Sequence, residues 1–169
     1  MKNLFFLAIL AVIFIACEKE PPAFGDTYQG GTIFYINEKE GYGLIVYPTE
    51  ISSGICWSEV YGLIEAYDSD NGEINTEKII NYPGTGNCAA KLCDDFEGGG
   101  YTDWYLPASN ELGNLRLSFL FEDMFTVYHF WASTEINNIY AANFPYNGWN
   151  DFLLKSNSHH VFAIRRYDL

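Results

Sequence analysis

The chain has 169 residues, which is enough for a single domain with a substantial hydrophobic core. It carries 22 acidic residues but only 9 Lys and Arg, for a net charge of −13. A charge of this sign and size repels polyanions at long range, so nucleic acid is excluded as an expected partner. Aromatic residues make up 18% of the chain, a content typical of exported β-rich binding domains and of aromatic cores.

The N-terminus has the pattern of an export signal. Lys2 precedes an unbroken apolar run over residues 4–15, which is shorter than the roughly 20 residues that a membrane span needs. Ala16 and Cys17 end this run, and the chain then becomes polar. The pattern predicts a signal peptide over residues 1–16, with an uncleaved anchor as the alternative.

Ala16-Cys17 resembles the lipobox of bacterial lipoproteins. In that family the cysteine becomes the lipidated first residue of the mature protein, so the resemblance implies that Cys17 joins the chain to membrane lipid. The expected location is the bacterial cell envelope, at the outer membrane, with the periplasmic and surface faces both left open. An ordinary signal peptide without lipidation is the alternative. Loss of Lys2 with the leader takes the net charge from −13 to −14.

The first part of the mature chain predicts a tether followed by a hairpin. Pro, Gly and Asp residues indicate a tether over 17–29, and the folded domain is expected over 30–169. The β-branched and aromatic residues at 32–36 and 44–47, joined by a glycine-containing turn, predict an N-terminal hairpin. A further short strand is expected at 55–57.

Short helices are predicted in the middle of the chain. Asn75 is the expected start of the first helix, and Pro83 is its stop. The second helix is expected over residues 89–96, before a glycine triplet at 98–100. That triplet is interpreted as a flexible loop, because it lacks the Lys-Ser/Thr that a phosphate-binding loop requires.

A third helix is predicted from Leu112, Leu115 and Phe119, which share one face at spacings of three and four. Ala108 stands at the capping position but offers no hydroxyl, so Ser109 is the expected N-cap. Four strands are then predicted, over 128–133, 139–144, 151–155 and 161–167. A hairpin, short helices and a C-terminal antiparallel β-meander make an α+β fold.

The cysteines suggest a disulfide. With Cys17 joined to lipid, an odd set of three remains for an oxidising compartment. Cys88 and Cys93 are a poor pair if both lie on one helix, so a Cys56–Cys88 disulfide with one buried thiol is favoured. Metal binding by the three is left open, although no Cys-x-x-Cys pair supports it.

Four sequence blocks resemble one family, the C-terminal domain of the Legionella collagen-like adhesins, long catalogued as a domain of unknown function. The most specific part is an Asp-Trp-Tyr-Leu-Pro block followed by Trp-Ala-Ser-Thr-Glu, and the likeness covers nearly the whole mature chain. The blocks lie at 30–57, 89–112, 130–135 and 147–165. The resemblance implies a C-type-lectin-like fold exported for binding or adhesion. The sulfated polysaccharide ligands of the collagen-like adhesins fit poorly with a net charge of −14.

The lectin-like resemblance also places a ligand site. Loops between the later strands carry binding in such folds, which implies a site within residues 135–151. Amide and carboxylate oxygens and aromatic faces there suit a neutral sugar, with an ordinary polar loop as the alternative. The candidate ligand-binding residues are Asn137, Asn138, Tyr146, Trp149, Asn150 and Asp151.

Other notable residues have structural interpretations. Trp104 and Trp131 are expected in the core, and Arg165 is expected to pair with Asp103. Trp57 is another candidate for stacking on sugar, with burial as the alternative. The Trp149-Asn150-Asp151 triplet is similar to the calcium signature of C-type lectins, but further oxygen ligands are missing. His159 and His160 point to opposite faces of a strand, so no metal and no cofactor is predicted.

These observations predict a non-enzymatic binding or adhesion module that is lipid-anchored and takes a glycan or a surface protein. Two alternatives stay open. One is an enzyme on a scaffold like that of formylglycine-generating enzymes, which requires a reactive cysteine pair such as Cys56 and Cys93. The other is a structural envelope protein without a small ligand.

Overall fold

The computed structural model describes residues 22–144 and 151–169. The fold is α+β, with two β-sheets and a few short helices. The strands are β1 (Thr27–Tyr28), β2 (Gly31–Asn37), β3 (Tyr42–Val46), β4 (Ser52–Cys56), β5 (Phe130–Glu135), β6 (Tyr140–Phe144), β7 (Asp151–Leu154), β8 (Ser158–Val161) and β9 (Ile164–Asp168). The helices are α1 (Gly72–Asn81), α2 (Ala89–Asp94), α3 (Ser109–Leu117) and α4 (Glu122–Phe125). Within the described ranges, no helix is both long enough and apolar enough to cross a membrane.

The first sheet has the strand order β1-β2-β3-β9, all antiparallel. The predicted N-terminal hairpin is confirmed, since β2 pairs with β3 from Thr32↔Val46 to Asn37↔Tyr42. Strand β9 pairs with β3, so the last strand of the chain lies beside the first hairpin.

The second sheet has the order β4-β8-β5-β6-β7 and contains the predicted meander only in part. Strands β5, β6 and β7 are antiparallel, but β8 returns to the other side of β5 and runs parallel to it. The single strand predicted over 161–167 is wrong. The segment is interrupted at Phe162 and Ala163, where the chain passes from β8 in the second sheet to β9 in the first. Both residues are fully buried. An unbroken apolar run gives no sign of such a change of sheet.

Helix α1 begins earlier than predicted. Its N-cap is Asn71, whose side-chain oxygen accepts a hydrogen bond from the Ile74 N–H at 3.1 Å. Asn75, the expected start, is instead fully buried inside the helix and bonds to the backbone of Asp68 through both side-chain atoms. Helix α2 lies where it was predicted.

Two details predicted for α3 are wrong. Ala108 is the N-cap, while Ser109 is the first helical residue and its N–H donates to Thr134 Oγ1 at 3.0 Å. The Glu111 carboxylate takes over the capping role, because it accepts the Ala108 N–H at 2.8 Å. Phe119 lies beyond the end of the helix with φ of 60° and is 68% exposed, so it does not join the buried helical face.

The aromatic blocks of the sequence form the core. Trp104 and Trp131 are 2% and 0% exposed. Arg165 on β9 forms a bidentate ion pair with Asp103. Its Nε donates to Oδ1 at 2.7 Å and its Nη2 donates to Oδ2 at 2.6 Å. Its guanidinium carbon also lies 3.9 Å from the ring centre of Tyr101, so the charge is held between a carboxylate and an aromatic face.

Glu111 makes the stability of the fold depend on pH. Its carboxylate accepts the Gly72 N–H at 3.0 Å and the Tyr105 hydroxyl at 2.9 Å, and burial raises its pKa from 4.5 to about 7. The folded protein therefore binds more protons than the unfolded chain between these two pH values. The stabilisation that comes from the raised pKa of Glu111 is fully present below pH 4.5. It falls by about 3 kcal/mol of unfolding free energy as the pH rises to 7.

We expect Glu111→Gln to abolish this loss. Urea unfolding at pH 4.5, 5.5, 7 and 8 measures the effect as the difference between parent and variant. Burial lowers the pKa of His159 to about 4, which makes the free energy of unfolding rise with pH. Both proteins contain His159, so this opposite trend cancels in the difference. Parallel profiles for the two proteins would contradict the prediction.

Candidate ligand-binding surface

A long loop over residues 57–71 connects β4 to α1 without regular helix or strand. It begins at Trp57, whose indole N–H donates to the Ala132 carbonyl at 2.8 Å. Trp57 is fully buried, so it is unavailable for stacking on a sugar and serves as the first anchor of the loop. The alternative of burial is thus the correct interpretation of this residue.

A buried ion pair lies beneath the loop. Glu135 at the end of β5 contacts Lys155 directly after β7, and both side chains are fully buried. The Lys155 Nζ lies 4.8 Å from the ring centre of Trp57. Burial lowers the pKa of Lys155, and the Glu135 carboxylate opposes that shift. A charge buried to this degree is stable only when it is paired and hydrogen-bonded.

The remaining hydrogen bonds of the pair hold the loop. The Glu135 carboxylate accepts the Ile64 N–H at 3.0 Å and the Glu65 N–H at 2.6 Å. Lys155 Nζ donates to the Gly62 carbonyl at 2.8 Å. The backbone of the loop at 62–65 is therefore fixed by two side chains that come from the ends of two strands.

The fixed loop presents large side chains to solvent. Its residues alternate, so that Ile64 and Ala66 are buried while Leu63 and Tyr67 are 50% and 47% exposed. Tyr61 is 57% exposed, and its hydroxyl donates to Ser156 Oγ at 2.7 Å. Desolvation, with Glu135 and Glu65 nearby, raises the pKa of Tyr67, so its hydroxyl stays a hydrogen-bond donor.

The β5–β6 turn adjoins these residues. The Asn137 side-chain oxygen accepts the Ile139 and Tyr140 N–H groups at 2.8 and 2.9 Å, so it shapes the turn. Asn138 is exposed beside it. The Ile139 carbonyl accepts the Lys155 N–H at 3.0 Å, which ties the turn to the ion pair. We name the combined face the long-loop surface, and its exposed residues are Tyr61, Leu63, Tyr67, Ile136, Asn138 and Ile139.

Among the predicted ligand residues that the structure describes, Asp151 lies apart from Asn137 and Asn138. Asn137 and Asn138 precede β6, whereas Asp151 pairs with Asn143 near the end of that strand. Tyr140 and Asn143 are three positions apart, which is about 10 Å along a strand. Tyr146, Trp149 and Asn150 lie outside the described residues, as does Cys17, whose lipidation stays a prediction. The sequence did not predict that Tyr61, Leu63 and Tyr67 form a surface, because residues 63–67 read Leu-Ile-Glu-Ala-Tyr and show no alternation of polar and apolar residues.

The three described cysteines are free thiols in this structure. The Cys56 sulfur lies 3.7 Å from the carbonyl oxygen of Asn87, the residue that precedes Cys88 in the chain. The Cys93 sulfur lies 3.9 Å from the Phe162 carbonyl oxygen. The Cys56–Cys88 disulfide is not formed here and stays a prediction. Burial raises the pKa of all three thiols, most strongly that of Cys93, and so disfavours the reactive thiolate.

The histidines take separate partners. His160 contacts the Glu50 carboxylate, whereas the His159 ring packs against Trp131 at 4.9 Å between centres. Among residues 22–144 and 151–169, no group of three or more His, Cys, Asp or Glu side chains is arranged to hold a metal ion.

No protein-family model matches the chain, and neither does any curated protein.

Proposed function

We propose that this protein is a lipid-anchored lipoprotein of the bacterial cell envelope whose single domain, of C-type-lectin-like fold, binds its ligand without catalysis. The resemblance to the Legionella adhesin domain supports the fold, as does the placing of the last strand beside the N-terminal hairpin. The apolar leader that ends at Ala16-Cys17 supports the anchor. The ligand is a neutral glycan or a glycan-bearing surface protein.

One observation carries the proposal. The loop over 57–71 has no regular structure, yet the buried Glu135–Lys155 pair holds its backbone while Tyr61 and Tyr67 face solvent. A binding loop that is already rigid loses little entropy when it takes a ligand. Tyr61 and Tyr67 offer flat faces and hydroxyls, and Asn138 offers an amide, which together match the faces and hydroxyls of a sugar. The negative charge of the chain disfavours sulfated glycans.

The chemistry of the thiols favours binding over the enzyme alternative. A scaffold like that of formylglycine-generating enzymes needs two reactive cysteines at one site. Here burial raises the pKa of Cys56 and Cys93, so neither thiol is poised as a nucleophile. The long-loop surface needs no such group.

We expect the long-loop surface to bind glycans, with Tyr61 and Tyr67 each contributing about tenfold to affinity. The full-length protein in detergent is applied to a glycan array, and hits are titrated with Tyr61→Ala, Tyr67→Ala and the double variant. Tyr128→Ala is the matched control, because Tyr128 is 41% exposed and stacks on His160 at a different place. EDTA should leave binding unchanged, because no metal is expected to take part.

Two outcomes would contradict the proposal. Binding that survives in the double variant would place the site elsewhere on the chain. A protein that binds neither the array nor whole cells would instead be a structural envelope component. Melting curves of the four variants should match that of the parent, since the substituted rings are exposed.

A further inference from the structure

A second apolar surface lies at another place in the fold. Leu117 and Phe119, at and beyond the end of α3, are 64% and 68% exposed, and Phe24 opposite them is 53% exposed. Together with β2 they line a shallow groove of about 530 Å³. We name this face the Phe119 patch, and its members are Phe24, Tyr35, Leu117, Phe119 and Leu120.

The conformation of Phe119 is unfavourable for its residue type. With φ of 60°, it occupies the left-handed region that glycine normally fills after the last turn of a helix. Its N–H donates to the Arg116 carbonyl at 3.3 Å, which completes the end of α3. A bulky ring is thus held outward in a backbone conformation that costs stability, at a place where glycine would fit better.

We infer that the Phe119 patch rests on the lipid bilayer that holds the anchor, an inference that depends on the proposed lipidation of Cys17. Phe24 is seven positions after Cys17, so even a fully extended chain spans no more than about 25 Å between them. Phe24 belongs to the patch itself, so the short tether delivers this face to the membrane. Exposed Phe and Leu side chains enter the interfacial region of a bilayer readily.

Charge specifies the kind of lipid. The chain is strongly acidic, and Glu122 and Asp123 lie in α4 directly after the patch. These carboxylates are repelled by anionic headgroups. The patch therefore suits a bilayer of zwitterionic lipids, and apolar contact rather than charge holds it there.

This contact would also orient the ligand site. Phe121 follows the patch and packs on Phe162 at 4.6 Å between ring centres, and Phe162 stacks on Phe130 at 4.8 Å. Phe130 begins β5, whereas Glu135, which holds the long loop, ends it. The two are five positions apart along the strand, which is about 16 Å. A protein resting on the Phe119 patch thus raises the long-loop surface away from the bilayer.

Tryptophan quenching by brominated lipid tests the contact. Full-length, processed Phe119→Trp and Tyr61→Trp proteins are placed in phosphatidylcholine vesicles with plain or brominated acyl chains, and the parent's emission is subtracted. We expect brominated chains to quench the emission added by Phe119→Trp at least twofold. The emission added by Tyr61→Trp, a matched exposed position on the long-loop surface, should stay unchanged. Phe119→Gly should melt no lower than the parent.

The outcomes separate the contact from the anchor. Flotation of the parent with vesicles tests the anchor alone, together with the mass of Cys17→Ala, which should either lose the acyl chains or retain the leader. A parent that does not float, or a mature mass that Cys17→Ala leaves unchanged, overturns the lipid anchor and the bilayer contact together and leaves glycan binding to its own test. Flotation with equal quenching at the two positions overturns the contact and leaves the anchor intact. A Phe119→Trp probe that is shielded from acrylamide in plain vesicles but not quenched by bromine would overturn the bilayer contact and show that a second copy of the chain covers the patch.

Discussion

Replacing either core tryptophan with alanine is expected to lower the free energy of unfolding by about 3–5 kcal/mol, because each ring fills a buried volume that its neighbours cannot close. Trp104 packs edge-on against Tyr47 and Phe96, with ring centres 5.6 and 6.0 Å away. Its indole N–H donates to the Gly98 and Tyr101 carbonyls at 3.0 and 3.1 Å. The alanine variant therefore loses packing and also leaves the turn at 98–101 without its donor.

Trp131 joins the two halves of the second sheet. It lies on β5, and its indole N–H donates to the Ile55 carbonyl of β4 at 2.9 Å. Urea unfolding of Trp104→Ala and Trp131→Ala measures both losses. Tyr67→Ala, which removes an exposed ring, is the control and should unfold with the parent. A Trp104→Ala protein that melts within a degree or two of the parent would show that the core assignment is mistaken.

The sequence predicted the elements whose signals are local. The hairpin of β2 and β3 follows from a β-branched run, a turn with glycines and a second run, all within sixteen residues of one another. Helix α2 and the Asp103–Arg165 pair were likewise predicted correctly, the latter because a charge within an aromatic block requires a partner.

The sequence failed where a distant contact decides the local structure. Helical periodicity placed Phe119 on the buried face of α3, but the helix ends two residues earlier and the chain turns left-handed. Ser109 is a good capping residue in isolation, yet Thr134, twenty-five positions away, takes its N–H. The break at Phe162 and Ala163 arises because β8 and β9 join different sheets. The apolar run alone does not indicate which sheet each strand joins.

The candidate site was missed for the same reason. Glu135 holds the N–H groups of Ile64 and Glu65 across some seventy positions, and Lys155 reaches the Gly62 carbonyl across ninety-three. Nothing in residues 57–71 alone shows that the loop is rigid. The resemblance implied a site within residues 135–151. From that region, the β5–β6 turn is tied to the ion pair, because the Lys155 N–H donates to the Ile139 carbonyl at 3.0 Å.

We expect Lys155→Met to cost about 3–5 kcal/mol of unfolding free energy, because it leaves the Glu135 carboxylate buried and without its cation. The loss should appear in urea unfolding and, through the freed loop, as weaker binding at the long-loop surface. Lys91→Met is the matched control, since Lys91 pairs with Asp94 and Asp95 in solvent and its removal should leave the unfolding midpoint unchanged. Adding Glu135→Gln to Lys155→Met removes the unpaired charge, so the double variant should be more stable than Lys155→Met alone. A double variant that loses the sum of the two single losses would show that the residues act independently, and the pair could not then be what fixes the loop.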